Sequence, residues 1–161
     1  MLQKWLSNGF IIFSLVFFMP HAEAVDNHSV EENQRMQLSI LHYINQYRAS
    51  RNLPPLKLLS PISREAARHS QQMAAQVINF GHQNFQRRMA TICQQIKTCN
   101  GGAENVAYYR LDAKALVDEW IASPGHRHNI EGHYNLTGIG IAFGKKGWAY
   151  YTQIFIRNSS R

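Results

Sequence analysis

The stretch Trp120-Ile121-Ala122-Ser123-Pro124-Gly125-His126-Arg127-His128-Asn129-Ile130-Glu131-Gly132-His133-Tyr134-Asn135-Leu136-Thr137-Gly138-Ile139-Gly140-Ile141-Ala142-Phe143 decides the reading of this chain. Its first residues close a helix whose apolar stripe is Leu116, Val117, Trp120 and Ile121, with Asp112 placed to cap its start. Ser123-Pro124-Gly125 stops that helix. Three histidines, His126, His128 and His133, then follow on a segment read as irregular. From Thr137 to Phe143 the pattern becomes that of a strand, and Trp148 to Ile156 forms a second strand after Gly144-Lys145-Lys146-Gly147, which is a hairpin signature. Large apolar groups lie on both faces of the second strand, so helices are expected on both sides of the sheet.

Working back toward the N-terminus, Met36, Ile40, Leu41, Ile44 and Tyr47 recur at helical spacing and predict an amphipathic helix ending near Ser50. Leu53 to Leu59 holds tandem prolines and is read as an extended connector or short edge strand. Ser60-Pro61 reads as an N-cap and first helical proline, opening a helix with Ile62, Ala66, His69, Met73 and Val77 on one stripe. His69 is taken as a packing residue. Between Asn79 and Ala107 periodicity is weak and polarity high, so a long loop region is expected there. The prediction is an α+β fold, a three-layer α-β-α sandwich with helices preceding strands.

At 161 residues the chain is long enough for one domain with a sizeable core. Lys4, an apolar run from Phe10 to Met19, and Ala22-Glu23-Ala24 have the form of a secretory signal peptide over residues 1–24. That run falls well short of the roughly 20 residues needed to span a bilayer. Residues 25–35 are read as a flexible lead, 36–157 as the domain and 158–161 as a tail. Export to a periplasm or outside the cell would place Cys93 and Cys99 in an oxidising compartment, where a disulfide closing their short loop is expected, contributing about 2–3 kcal/mol. Net charge is +7 and stays so when Lys4 and Glu23 leave with the leader. A basic exported protein tends toward anionic surfaces such as envelope polymers, lipid headgroups or host glycans. The basic residues are scattered rather than interleaved with aromatics on one helix, which argues against nucleic acid. A monomer without a membrane span is expected after cleavage.

His82, Glu104 and His126 each lie on a loop beside a helix or strand end. Two imidazoles and a carboxylate meeting in a cleft would suit a divalent metal such as Zn2+, and equally general acid and base chemistry. No H-E-x-x-H motif pre-places a ligand pair, and no G-x-S-x-G surrounds Ser123. The residues themselves thus leave open whether the chain is an enzyme.

Five ordered blocks carry a resemblance: Gly81-His82, Gly102-Ala103-Glu104-Asn105-Val106-Ala107, Trp120 to Ile130, Thr137 to Ala142, and Tyr150 to Phe155. In this order they resemble the CAP superfamily, the SCP-like extracellular domain shared by cysteine-rich secretory proteins, antigen 5 and pathogenesis-related proteins, in its bacterial form. The resemblance implies the α-β-α sandwich with a central cleft and a tetrad of two histidines and two glutamates. His82 matches the first histidine and Glu104 one glutamate. His126 is the counterpart of the second histidine, with His133 as the alternative; the second glutamate has no match, because Ser123-Pro124 stands where it is sought. What the resemblance implies for function is a secreted binding module with a His/Glu cleft for a divalent metal and an envelope, lipid or host ligand. A metal-assisted hydrolase using Glu104 and a histidine is the alternative, and sterol or fatty-acid binding the third reading.

Overall fold

The computed structural model describes residues 27–110 and 112–159. The signal peptide read over residues 1–24 lies outside them. In chain order the elements are α1 (Asn27–Ser50), β1 (Lys57–Leu58), α2 (Ser60–Ala74), α3 (Phe85–Cys93), β2 (Cys99–Tyr109), α4 (Ala113–Ala122), α5 (Pro124–Glu131), β3 (Leu136–Phe143), a 3-10 turn (Lys145–Gly147) and β4 (Ala149–Asn158). The strands form one sheet in the order β1-β3-β4-β2. β1 runs parallel to β3, and the other pairs are antiparallel.

The hairpin expected after the histidine segment is β3–β4, in register from Leu136 opposite Ile156 to Phe143 opposite Ala149. Helices cover both faces of the sheet. Against one face Ile62 and Ala66 of α2 and Met89 and Ile92 of α3 pack on Ile154 and Ile156. Against the other, Ile40 and Ile44 of α1, Leu116 and Trp120 of α4 and Ile130 of α5 pack on Ile139, Tyr151 and Phe155. The alternation Gly138-Ile139-Gly140-Ile141 explains the asymmetry. Its isoleucines face α1 and α4, while its glycines let the backbone of α2 lie directly on the strand. A Cβ at Gly140 would come within 2.1 Å of the Ala67 nitrogen, and one at Gly138 within 2.3 Å of Ile62 main chain.

Four local expectations change. Residues 27–35 are helical rather than a flexible lead, since no glycine or proline interrupts the run into Met36 and α1 continues through it. Within the region read as a long loop the chain forms α3 and most of β2. Their periodicity is hidden because Arg88 and Glu104, both polar, occupy buried positions. The part of the histidine segment that holds His126 and His128 is the helix α5, where Pro124 stands in the first turn and starts a helix instead of only ending one; His133 follows it on a turn. Leu59, not Ser60, is the N-cap of α2. Asp112 caps α4 as expected, its carboxylate accepting from the Ala115 N–H at 2.8 Å.

The disulfide Cys93–Cys99 is present and ties the end of α3 to the start of β2. Among the described residues no helix is long and apolar enough to cross a membrane.

Candidate functional site

Glu104 sits on β2 with its side chain turned toward α2 and α3, where only 1 % of it is exposed. A carboxylate so buried must be neutralised. Arg88, one helical turn beyond Phe85 on α3 and itself buried, supplies the charge. Its Nε donates to Glu104 Oε2 at 2.8 Å and its Nη2 to Oε1 at 2.7 Å, a two-pronged pairing. Nη1 of the same guanidinium donates to the Gln83 carbonyl at 2.6 Å, anchoring the loop that follows α2.

The same carboxylate orients His82, which lies on that loop. Nδ1 of His82 is 2.9 Å from Glu104 Oε1. Because a carboxylate held by a guanidinium can only accept, Nδ1 carries the proton and Nε2 is the free ring nitrogen. His69 of α2 fixes the loop from behind: its Nε2 is 2.9 Å from the Gly81 carbonyl, so it donates there. Gly81 has φ +141°, which a side chain would strain. Burial, and next the Arg88 cation, hold the His69 pKa below its ordinary value. Its other nitrogen, Nδ1, is buried without a partner.

His126 arrives from the opposite layer. It lies in the first turn of α5, its ring 6.3 Å from that of Trp120. Burial, and then the charge of nearby His82, lower its pKa. Three asparagine contacts set α5 against β2: Asn129 Nδ2 donates to Asn105 Oδ1 at 2.8 Å and to the Glu104 carbonyl at 3.2 Å, and Asn105 Nδ2 donates to the His126 carbonyl at 3.2 Å. Arg127 donates to the Ile121 carbonyl at 2.8 Å and closes the end of α4. The Gly-His-Arg-x-Asn block is therefore the brace that delivers His126.

Between the two layers, along the outer side of β2, runs a cleft of about 630 Å3. Phe80, His82 and Tyr108 line one part and Glu119, Trp120, Ser123 and His126 another. A ring cluster continues beyond it, with Tyr108 stacked 4.5 Å from Trp148 and tilted against Tyr150 at 4.5 Å. Of the residues singled out in the sequence, His82 and His126 face this cleft and Glu104 stands behind His82. His133 is on an exposed turn between α5 and β3 and does not line it. Sequence reasoning missed Arg88, although Phe85, Arg88, Met89 and Ile92 at helical spacing carry the signal for a buried face. Glu119, the residue before Trp120, also lines the cleft.

A divalent metal held through Glu104 does not fit this arrangement. Both carboxylate oxygens already accept charged or polar N–H groups, and a guanidinium occupies the cation's place. Among the described residues no group of three His, Cys, Asp or Glu side chains is arranged to hold a metal ion.

A mixed sheet between two helical layers, with two histidines facing each other across a cleft at its edge strand, defines an α-β-α sandwich with a cleft at the sheet edge. The model of CAP, the Cysteine-rich secretory protein family, matches residues 41–155, and the chain belongs to that family. Among solved structures it is similar to an extracellular SCP-domain protein of Bacillus anthracis (24 % identity, 83 % of this chain and 44 % of that one, TM-score 0.69). It is also similar to a cysteine-rich secretory protein of Staphylococcus aureus (23 %, 80 % and 40 %, TM-score 0.65) and to an outer surface protein of Borrelia burgdorferi (16 %, 81 % and 96 %, TM-score 0.64). The chain thus spans less than half of the first two and nearly all of the third. No curated protein sequence matches significantly.

Proposed function

We propose that this chain is a secreted binding module whose cleft engages an envelope or host ligand through His82, His126 and the aromatic wall, with Glu104 orienting His82 rather than ligating a metal. The observation that carries this reading is the commitment of Glu104. Its oxygens are bound by Arg88 and His82, so it is not free to activate water, and the hydrolase alternative loses its base. The side chain hydrogen-bonded to the His82 ring is the Glu104 carboxylate, an orienting group and not a nucleophile held by a base. What remains is a concave site of ordinary ligand-binding size, mixing rings with a few polar groups. Export is supported by the leader-like N-terminus, by the disulfide, and by the extracellular or surface descriptions of the similar proteins.

The test is a titration of the mature, oxidised protein with peptidoglycan fragments, anionic lipid vesicles, host-type glycans and peptides. At least one class is expected to bind saturably and to lose about tenfold or more in affinity in His126→Ala and in Tyr109→Ala, Tyr109 being a further residue that lines the cleft. Binding that is indifferent to both substitutions would place the site elsewhere.

A further inference from the structure

The side of the cleft that faces the sheet is built of main chain. β2 is an outer strand, and among the described residues no strand pairs with it on the side away from β4. The carbonyl of Glu104 shows which residues look outward, because it accepts from Asn129 Nδ2 instead of from β4. Backbone polar groups alternate sides along a strand, so those of Val106 and Tyr108 point the same way as those of Glu104. Both residues line the cleft. The cleft therefore runs along a short row of strand N–H and C=O groups at two-residue spacing.

Exposed strand edges are ordinarily blunted by proline, lysine or a bulge. From Ala103 to Tyr109 there is neither proline nor lysine, and the bulge lies earlier, between Cys99 and Gly102. Recession protects this edge instead, since Phe80 and His82 stand on one side of it and Trp120 and His126 on the other. A flat sheet edge from another protein would meet those walls. A single extended chain would pass between them.

We propose that the cleft binds an extended polypeptide segment that adds to the outer edge of β2 as a further strand, its main chain paired with Val106 and Tyr108. Side chains of an added strand alternate between the two faces of the sheet. One set meets Phe80, His82 and Tyr108, a mainly apolar wall; the other meets Trp120, His126 and Glu119, where polar or basic groups fit. Repeating main-chain donors and acceptors match another main chain better than a sugar or an acyl chain, which lack that repeat. This inference rests on the cleft being the binding site.

The experiment is panning of a phage-displayed random peptide library on the mature, oxidised protein, followed by affinity measurements on the selected peptides. N-methylation at the peptide positions facing β2 is expected to weaken binding about tenfold or more, and at the intervening positions much less, the loss matching one backbone hydrogen bond with its partner stranded. Val106→Pro removes an N–H outside the β2–β4 ladder and is expected to fold and to lose affinity to a similar degree. Should that variant fail to fold, the methylation scan on the wild-type protein decides alone. Equal affinity whichever position is methylated, or no selected peptide, overturns strand addition. If another ligand class still binds and is weakened by Tyr109→Ala, the cleft reading survives; if cleft substitutions weaken nothing, both fall.

Discussion

Arg88 and Glu104 are both buried, and each makes the other tolerable there. Their side chains are 5 % and 1 % exposed, so neither charge has water to fall back on. Removing one member of such a pair strands the other, which typically costs about 3–5 kcal/mol. Arg88→Met is accordingly expected to lower unfolding free energy by about that much in urea denaturation, and Glu104→Gln by a comparable amount. The double variant should cost much less than the sum of the two. Additive losses would show that the pair is not a unit. His82 depends on it in turn, because Glu104 is the contact that fixes its ring. Arg87 and Arg88 are adjacent in the sequence, and only helical phase distinguishes the two: Arg87 is exposed and Arg88 buried.

At the scale of elements, what was legible followed hydrophobic periodicity and what was hidden followed polar burial. The stripe of Ile40 and Ile44, the capped start of α4 at Asp112 and the β3–β4 hairpin are all places where apolar pattern and turn chemistry agree with the fold. α3 and the first half of β2 escaped because their inward positions carry Arg88, Glu104 and Asn105, the residues that build and brace the site. The contact of α2 with β3 was encoded by glycines, which pattern rules treat as breakers. Here they mark the closest approach of a helix to a strand. Gly140→Ala is expected to cost about 1–3 kcal/mol or more, because its added carbon would meet main chain that cannot rotate away. A thermal melt measures it, and an unchanged midpoint would mean that α2 does not sit directly on this strand.

Across the whole molecule, the sheet divides the site's parts between two layers. Arg88, Glu104, His69 and His82 belong to the side of α2 and α3; Trp120 and His126 belong to α4 and α5; β2 and its asparagine contacts join them. The family blocks in the sequence located His82, Glu104 and His126 without the geometry, which is why they suggested a metal tetrad. Only the packed structure shows that α3 brings its own cation to Glu104. Metal analysis and zinc calorimetry on the mature, oxidised protein at about pH 7.5, where histidines are largely neutral, with His82→Ala, His126→Ala and Glu104→Gln alongside, test this most directly. No stoichiometric zinc that depends on these residues is expected. One equivalent bound by the wild-type protein and lost in all three variants would contradict it.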